Sequence, residues 1–163
     1  MTAAQHLAQF NIARICYPLD DPRMAEFVDN VARVNALAEA IEGFVWRLQD
    51  ASGNAMNMKV YDDSRILPNL TLWESVEALE RFVWQTLHRR FYGRRAEWFE
   101  RIETPLVMWF VPVGHRPTMA EGVERLEHLK VHGPNDYAFG WDRLPAAQLW
   151  KTARCGAPSE HAA

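Results

Sequence analysis

An α+β fold, with two helices packed on one face of an antiparallel sheet, is predicted by three features of the sequence. Runs of period-two hydrophobicity alternate with runs of helical period in the order β-α-β-β-α-β. The run Leu106–Val113 (LVMWFVPV) is apolar throughout and rich in aromatic and β-branched residues, as a central strand requires. The chain has 163 residues, 48% of them hydrophobic, which is enough for one domain with a real core and short for two. One domain is therefore expected over residues 1–150.

The elements follow in order. Leu7–Ile15 (LAQFNIARI) is the first strand, with Phe10, Ile12 and Arg14 on one side and Gln9, Asn11 and Ala13 on the other. Asn11 is the polar residue to notice there, either paired across the sheet or aimed into a cavity. Asp21 followed by Pro22 marks a helix start, and the helix runs from Arg23 to Ile41 with Phe27, Val31, Val34, Ala38 and Ile41 on one face. Gly43 stops it. Phe44–Gln49 is the second strand, on which Trp46 and Leu48 oppose Val45 and Arg47. The turn-rich segment from Asp50 to Pro68 is an embellished hairpin connection containing a short MNMKVY segment.

Asn69–Trp73 alternates as a half-buried strand. Ser75 then caps a helix that puts Val76, Leu79, Phe82, Val83, Leu87 and Phe91 on one arc. Glu80, Trp84 and His88 form an i, i+4, i+8 row at the edge of that arc. Thr118 and Glu121 form a capping box for a third main helix ending at Gly133. Tyr137–Trp141 is expected as a short last strand or a packed segment, and residues 151–163 as a disordered tail. The whole is the split β-α-β arrangement of the ferredoxin-like fold, with a helix and a strand appended. Two helices cannot cover both faces of such a sheet, so a homodimer joined through the other face is expected.

Composition excludes several classes. A net charge of −3 gives no basic surface for nucleic acid, and Arg89, Arg90, Arg94 and Arg95 are interleaved with aromatic and acidic residues. Cys16 and Cys155, the two cysteines, lack metal-site or disulfide spacing. No apolar run approaches the ~18 residues of a membrane span and no export signal begins the chain, so a cytoplasmic protein is expected. His128 and His132 have i, i+4 metal-ligand spacing, but a third ligand would have to come from His115 across a loop. A polar helix face is the stronger reading, and no metal is expected.

Several stretches together carry a family resemblance: LAQFNIAR, GFVWRLQ, LTLWES, RRAEWFE, LVMWFVPVGHRPT and RLEHLKVHGP. Over roughly residues 5–143 the chain resembles the family known as domain of unknown function 3291, within the dimeric α+β barrel superfamily that includes antibiotic-biosynthesis monooxygenases. The resemblance implies a ferredoxin-like protomer, a face-to-face dimer and a cavity between sheet and helices. Asn11, Trp46, Trp73, Trp84, His88, Trp98 and Trp109 are the residues expected to line it, because indole rings suit flat hydrophobic or aromatic ligands.

Two activities fit such a cavity. In cofactor-free oxygenation a phenol or enol loses a proton and its anion reduces dioxygen. His88 would be a near-neutral base, Asn11 would hold a substrate oxygen, and Arg47 would pair with the anion. The other use makes His88 a heme ligand, since heme-degrading relatives carry an asparagine on the first strand and a tryptophan and a histidine around the second helix. Trp84 and Trp73 match that tryptophan poorly. The expectation is thus a monooxygenase-like enzyme without a cofactor; the alternative is a non-catalytic protein binding a hydrophobic ligand or heme.

Overall fold

The computed structural model describes residues 3–144. The expected tail, 151–163, lies outside the described residues. The strands are β1 (Gln5–Ile15), β2 (Phe44–Arg47), β3 (Ile66–Trp73), β4 (Phe99–Glu100) and β5 (Leu106–Pro112), and the helices α1 (Ala25–Ala40), α2 (Val76–Gln85), α3 (Leu87–Gly93) and α4 (Met119–His132). All pairings are antiparallel: β3 lies between β2 and β1, and the far edge of β1 pairs with β5 along most of its length and with β4 at its end. With β4 set aside the order is β2-β3-β1-β5, which is the ferredoxin-like order expected from the sequence.

Pro68 sits inside β3, where a missing N–H normally excludes proline. Leu48 N–H donates to the Leu70 carbonyl at 2.8 Å, so alternate residues of β3 face β2. Residue 68 is two along from Leu70 and faces the same way, past the end of β2 at Arg47. The absent donor falls where no strand needs it.

Strand alternation divides the sheet into two faces. Leu7, Gln9, Asn11, Ala13 and Ile15 of β1 face α1 and α2. There Leu7, Trp73 and Met108 pack with Ala38, Leu79, Phe82 and Val83. Farther along the same face, Ile15 and Leu67 form a second cluster with Met24 and Trp98. The opposite face carries Ala8, Phe10, Ile12, Leu70, Leu72, Val107 and Trp109, and it is covered by Leu126 of α4 with Met119, Val123 and Leu129. The cover is close: a Cβ on Gly122 would stand 2.7 Å from the Phe10 ring. The expectation of a bare second face is therefore corrected. The appended helix lies on it, and the argument from uncovered area to a homodimer no longer applies.

Three local expectations change as well. The helix after β3 is not continuous, because Thr86 adopts extended backbone (φ −116°, ψ −176°) between α2 and α3. Its hydroxyl donates to the Phe82 carbonyl and accepts from His88 N–H, a local bonding pattern that competes with helix propagation. The Glu80–Trp84–His88 row is broken at this point. The short β4 pairs Arg14 and Ile15 with Glu100 and Phe99, where a helix end was expected. The last strand reduces to a single bridge, Met108 with Phe139. Among the described residues no helix is long and apolar enough to cross a membrane.

Candidate functional site

Between the two apolar clusters of the helix-facing side lies a band of polar side chains. Gln9 and Asn11 come from β1, and their neighbours across the ladder are Thr71 and Asn69 of β3. Gln9 and Thr71 are buried. Asn11 is half-buried and Asn69 is exposed, so the band runs from interior to surface.

These groups form a hydrogen-bond chain with a fixed direction. Trp73 Nε1–H donates to Thr71 Oγ1 at 2.8 Å, and an indole can only donate. Thr71 therefore accepts there and spends its single hydrogen on Gln9 Oε1, 2.9 Å away. With its oxygen engaged, Gln9 must present its amide nitrogen to Asn11 Oδ1, at 2.8 Å. Asn69 Nδ2 donates to the same oxygen at 2.9 Å. The amide orientations of Gln9, Asn11 and Asn69 agree with one another along the whole chain. The far end is Asn11 Nδ2, whose hydrogens have no partner among the described residues. Asn11 is thus held as a hydrogen-bond donor, oriented before anything binds.

His88 stands at the first turn of α3. Its ring packs on Phe82 at 4.8 Å between centroids and runs nearly parallel to Tyr92 at 6.3 Å. Phe82 in turn stacks on Trp73 at 5.5 Å, so aromatic contacts link His88 to the start of the amide chain. The expected near-neutral imidazole is corrected. Desolvation lowers its pKa to about 4, and the approach of Nδ1 to the Val83 carbonyl at 3.4 Å offsets this only in part. His88 is neutral at physiological pH.

The remaining expected residues do not converge. Trp73 is fully buried at the chain's start. Trp84 turns toward Tyr92 and Trp141, at 5.3 and 6.1 Å, and its buried Nε1 has no partner. Trp98 belongs to the second cluster, between Phe27 and Phe91 with Arg94 above it. Trp46 and Trp109 lie on the α4 side of the sheet. A register shift between Phe44 and Trp46 explains the first of these, since it leaves Phe44 on Trp73 while Trp46 turns to the other face. Arg47 does face α1, but its Nε donates to Glu39 at 2.7 Å and its Nη1 to the Gly53 carbonyl at 2.8 Å. It tethers α1 and the long β2–β3 connection. An aromatic pocket gathering all five tryptophans is not formed.

Gln9, Thr71 and Asn69 escaped notice in the sequence, although a signal was there. Two polar residues at i, i+2 recur in the middle of each of two largely apolar strands.

The donor set expected for heme degradation is not assembled, because Trp73 spends its indole N–H on Thr71 and the Trp84 ring packs on Tyr92 and Trp141. The residues do not fit that use of heme, and no chemistry is derived through it. Among the described residues no group of three metal-binding side chains occurs. His115 bonds Glu121 at the start of α4, whereas the rings of His128 and His132 touch at its end, tilted by 40° with centroids 4.4 Å apart. Two of the four clustered arginines are engaged: Arg94 pairs with Glu26 and Glu97, and Arg95 lies over Tyr92.

Three solved structures are similar to this chain at low sequence identity. SnoaB, a cofactor-independent oxygenase from Streptomyces nogalater, is 17% identical with a TM-score of 0.42, over 71% of this chain and 97% of its own. A protein of unknown function from Nitrosomonas europaea is 12% identical with a TM-score of 0.42, over 72% and 97%. A conserved protein from Methanosarcina mazei Go1 is 14% identical with a TM-score of 0.45, over 65% and 92%. No curated protein matches in sequence. The family model described as Domain of unknown function (DUF3291) matches residues 6–155, nearly the whole chain, and the protein belongs to that family.

Proposed function

We propose that the protein is a monooxygenase-like enzyme that oxidises a small aromatic or polyketide-like compound without a cofactor. The observation that carries this reading is the directed chain from Trp73 to Asn11. It leaves a preset N–H at the edge of a half-buried polar band, the kind of donor that stabilises an enolate or phenolate oxygen as charge develops there. In this reaction class a deprotonated substrate gives electrons to dioxygen, an activated methylene becomes a carbonyl, and the second oxygen atom leaves as water.

His88 is the proposed base. Its low pKa keeps it unprotonated and available, but makes it a weak proton acceptor in the empty site. An anion forming beside it would raise that pKa, so proton transfer and anion stabilisation by Asn11 depend on each other. The same low pKa favours a second reading, a binding protein that holds a hydrophobic ligand through Asn11 without turning it over.

The test is oxygen consumption with a panel of polycyclic phenols. Asn11→Asp keeps the acceptor oxygen for Gln9 and Asn69 but replaces the outward N–H with an oxygen. It is expected to lower turnover by about 10²-fold or more with the fold intact, and His88→Ala to abolish it. Ligand binding with no substrate-dependent oxygen uptake would select the second reading. Full activity in both variants would remove the site from the mechanism.

A further inference from the structure

On the α4 side of the sheet, across from the amide chain, a separate pocket of about 220 Å³ opens between β2 and the loop before α4. The register shift at Val45 that turns Trp46 away from α1 turns it into this pocket. Val45, Trp46 and Leu72 form its apolar wall, and His6, His115 and Arg116 its polar side. α4 lies mainly over β5 and β1, which leaves the β2 end of this face open.

Three features of the polar side point to a ligand. His6 Nδ1 is buried and has no hydrogen-bond partner, an arrangement that is costly unless something fills it. Arg116 holds its guanidinium over the Trp46 ring at 5.3 Å and, among the described residues, makes no ion pair. The neighbouring carboxylate, Glu121, is already committed: one oxygen is 2.8 Å from His115 Nε2, and the other accepts Thr118 N–H at 2.6 Å. A cation without an ion pair among the described residues, an indole wall and an unpaired imidazole nitrogen thus meet in one small pocket.

We propose that this pocket binds a small aromatic carboxylate, with its ring against Trp46 and Leu72 and its carboxylate between Arg116 and His6. The site is separate from the Asn11–His88 region and does not depend on the activity proposed there. Arginine suits the role because its planar fork matches a carboxylate and stacks on aromatic rings.

Benzoate, titrated calorimetrically into the full-length protein, tests this, with benzamide as the uncharged analogue of the same shape. One benzoate is expected to bind per chain at roughly millimolar or lower concentration, and benzamide at least about tenfold more weakly. Arg116→Gln should erase that difference, and His88→Ala should leave benzoate binding unchanged. In ¹H–¹⁵N spectra the indole signal missing from Trp46→Phe should shift most on adding benzoate. Equal binding of the two compounds, benzoate affinity unaffected by Arg116→Gln, or an unmoved Trp46 signal would each overturn the proposal.

Discussion

The two faces of the sheet are built on opposite principles. On the α4 side, Ala8, Phe10, Ile12, Leu70 and Trp109 meet a helix so closely that Gly122 has no room for a methyl group. On the α1–α2 side, the strand positions between the two apolar clusters carry Gln9, Asn11, Asn69 and Thr71 in place of aliphatic residues. A polar band inside a packed face costs stability unless every group is paired, and here the pairing is complete except at one end. The first face is shaped for cohesion. The second gives up apolar contact along its middle to hold one donor in position.

Gly122→Ala should break the contrast most strongly. Its Cβ would have to push the Phe10 ring aside or lift α4, and overpacking of this kind costs about 1–3 kcal/mol. The expected result is a lower denaturation midpoint with weaker near-UV signals from the α4 side. An unchanged midpoint would mean that α4 is not seated on Phe10 as described. Thr71→Val is the matching change on the other face. It conserves shape but strands the Trp73 indole N–H and Gln9 Oε1 in the interior, at a cost of about 1–3 kcal/mol. Because the direction of the chain starts at that indole, the variant should also lose the fixed orientation of Asn11. The Asn11 amide protons, visible by NMR, should then show averaged environments; a single sharp set as in the parent protein would show that Asn11 is oriented by something else.

Much of this was legible in the sequence, for physical reasons that also explain what was not. Hydrophobic period placed β1, α1, β3, α2, β5 and α4 in order, and the capping residues Ser75 and Thr118 act as expected, accepting from Ala78 N–H at 3.1 Å and Glu121 N–H at 3.2 Å. Asn11 stood out because an amide in an apolar strand is conspicuous. The break at Thr86 did not, because threonine is tolerated within helices and only its bonds to Phe82 and His88 show that it interrupts this one. The facing of Trp46 depended on a register shift, which alternation alone cannot reveal. Likewise, the coverage of the second face depended on where an appended helix docks. Amphipathicity says that such a helix needs a partner surface, but not which one.

His88 sharpens the comparison by the smallest effect, one that only the helix-facing side should show. An unfolded chain binds a proton on this residue near pH 6.5, whereas the folded protein holds its pKa at about 4. Above pH 6.5 both states carry neutral imidazole, and His88 contributes no pH dependence. Between pH 6.5 and 4 the unfolded state takes up a proton that the folded state refuses, so stability falls as pH falls. Below 4 both are protonated and the loss levels off. Partial exposure of the ring makes the effect modest. Comparing denaturant midpoints of the parent and His88→Gln from pH 7 to pH 4 isolates it: the variant should lose part of the decline over this window while matching the parent's slope above pH 6.5. If the two curves stay parallel throughout, His88 is not desolvated. The imidazole would then be free to act as a base of ordinary strength, and the coupling to anion formation at Asn11 would no longer be needed.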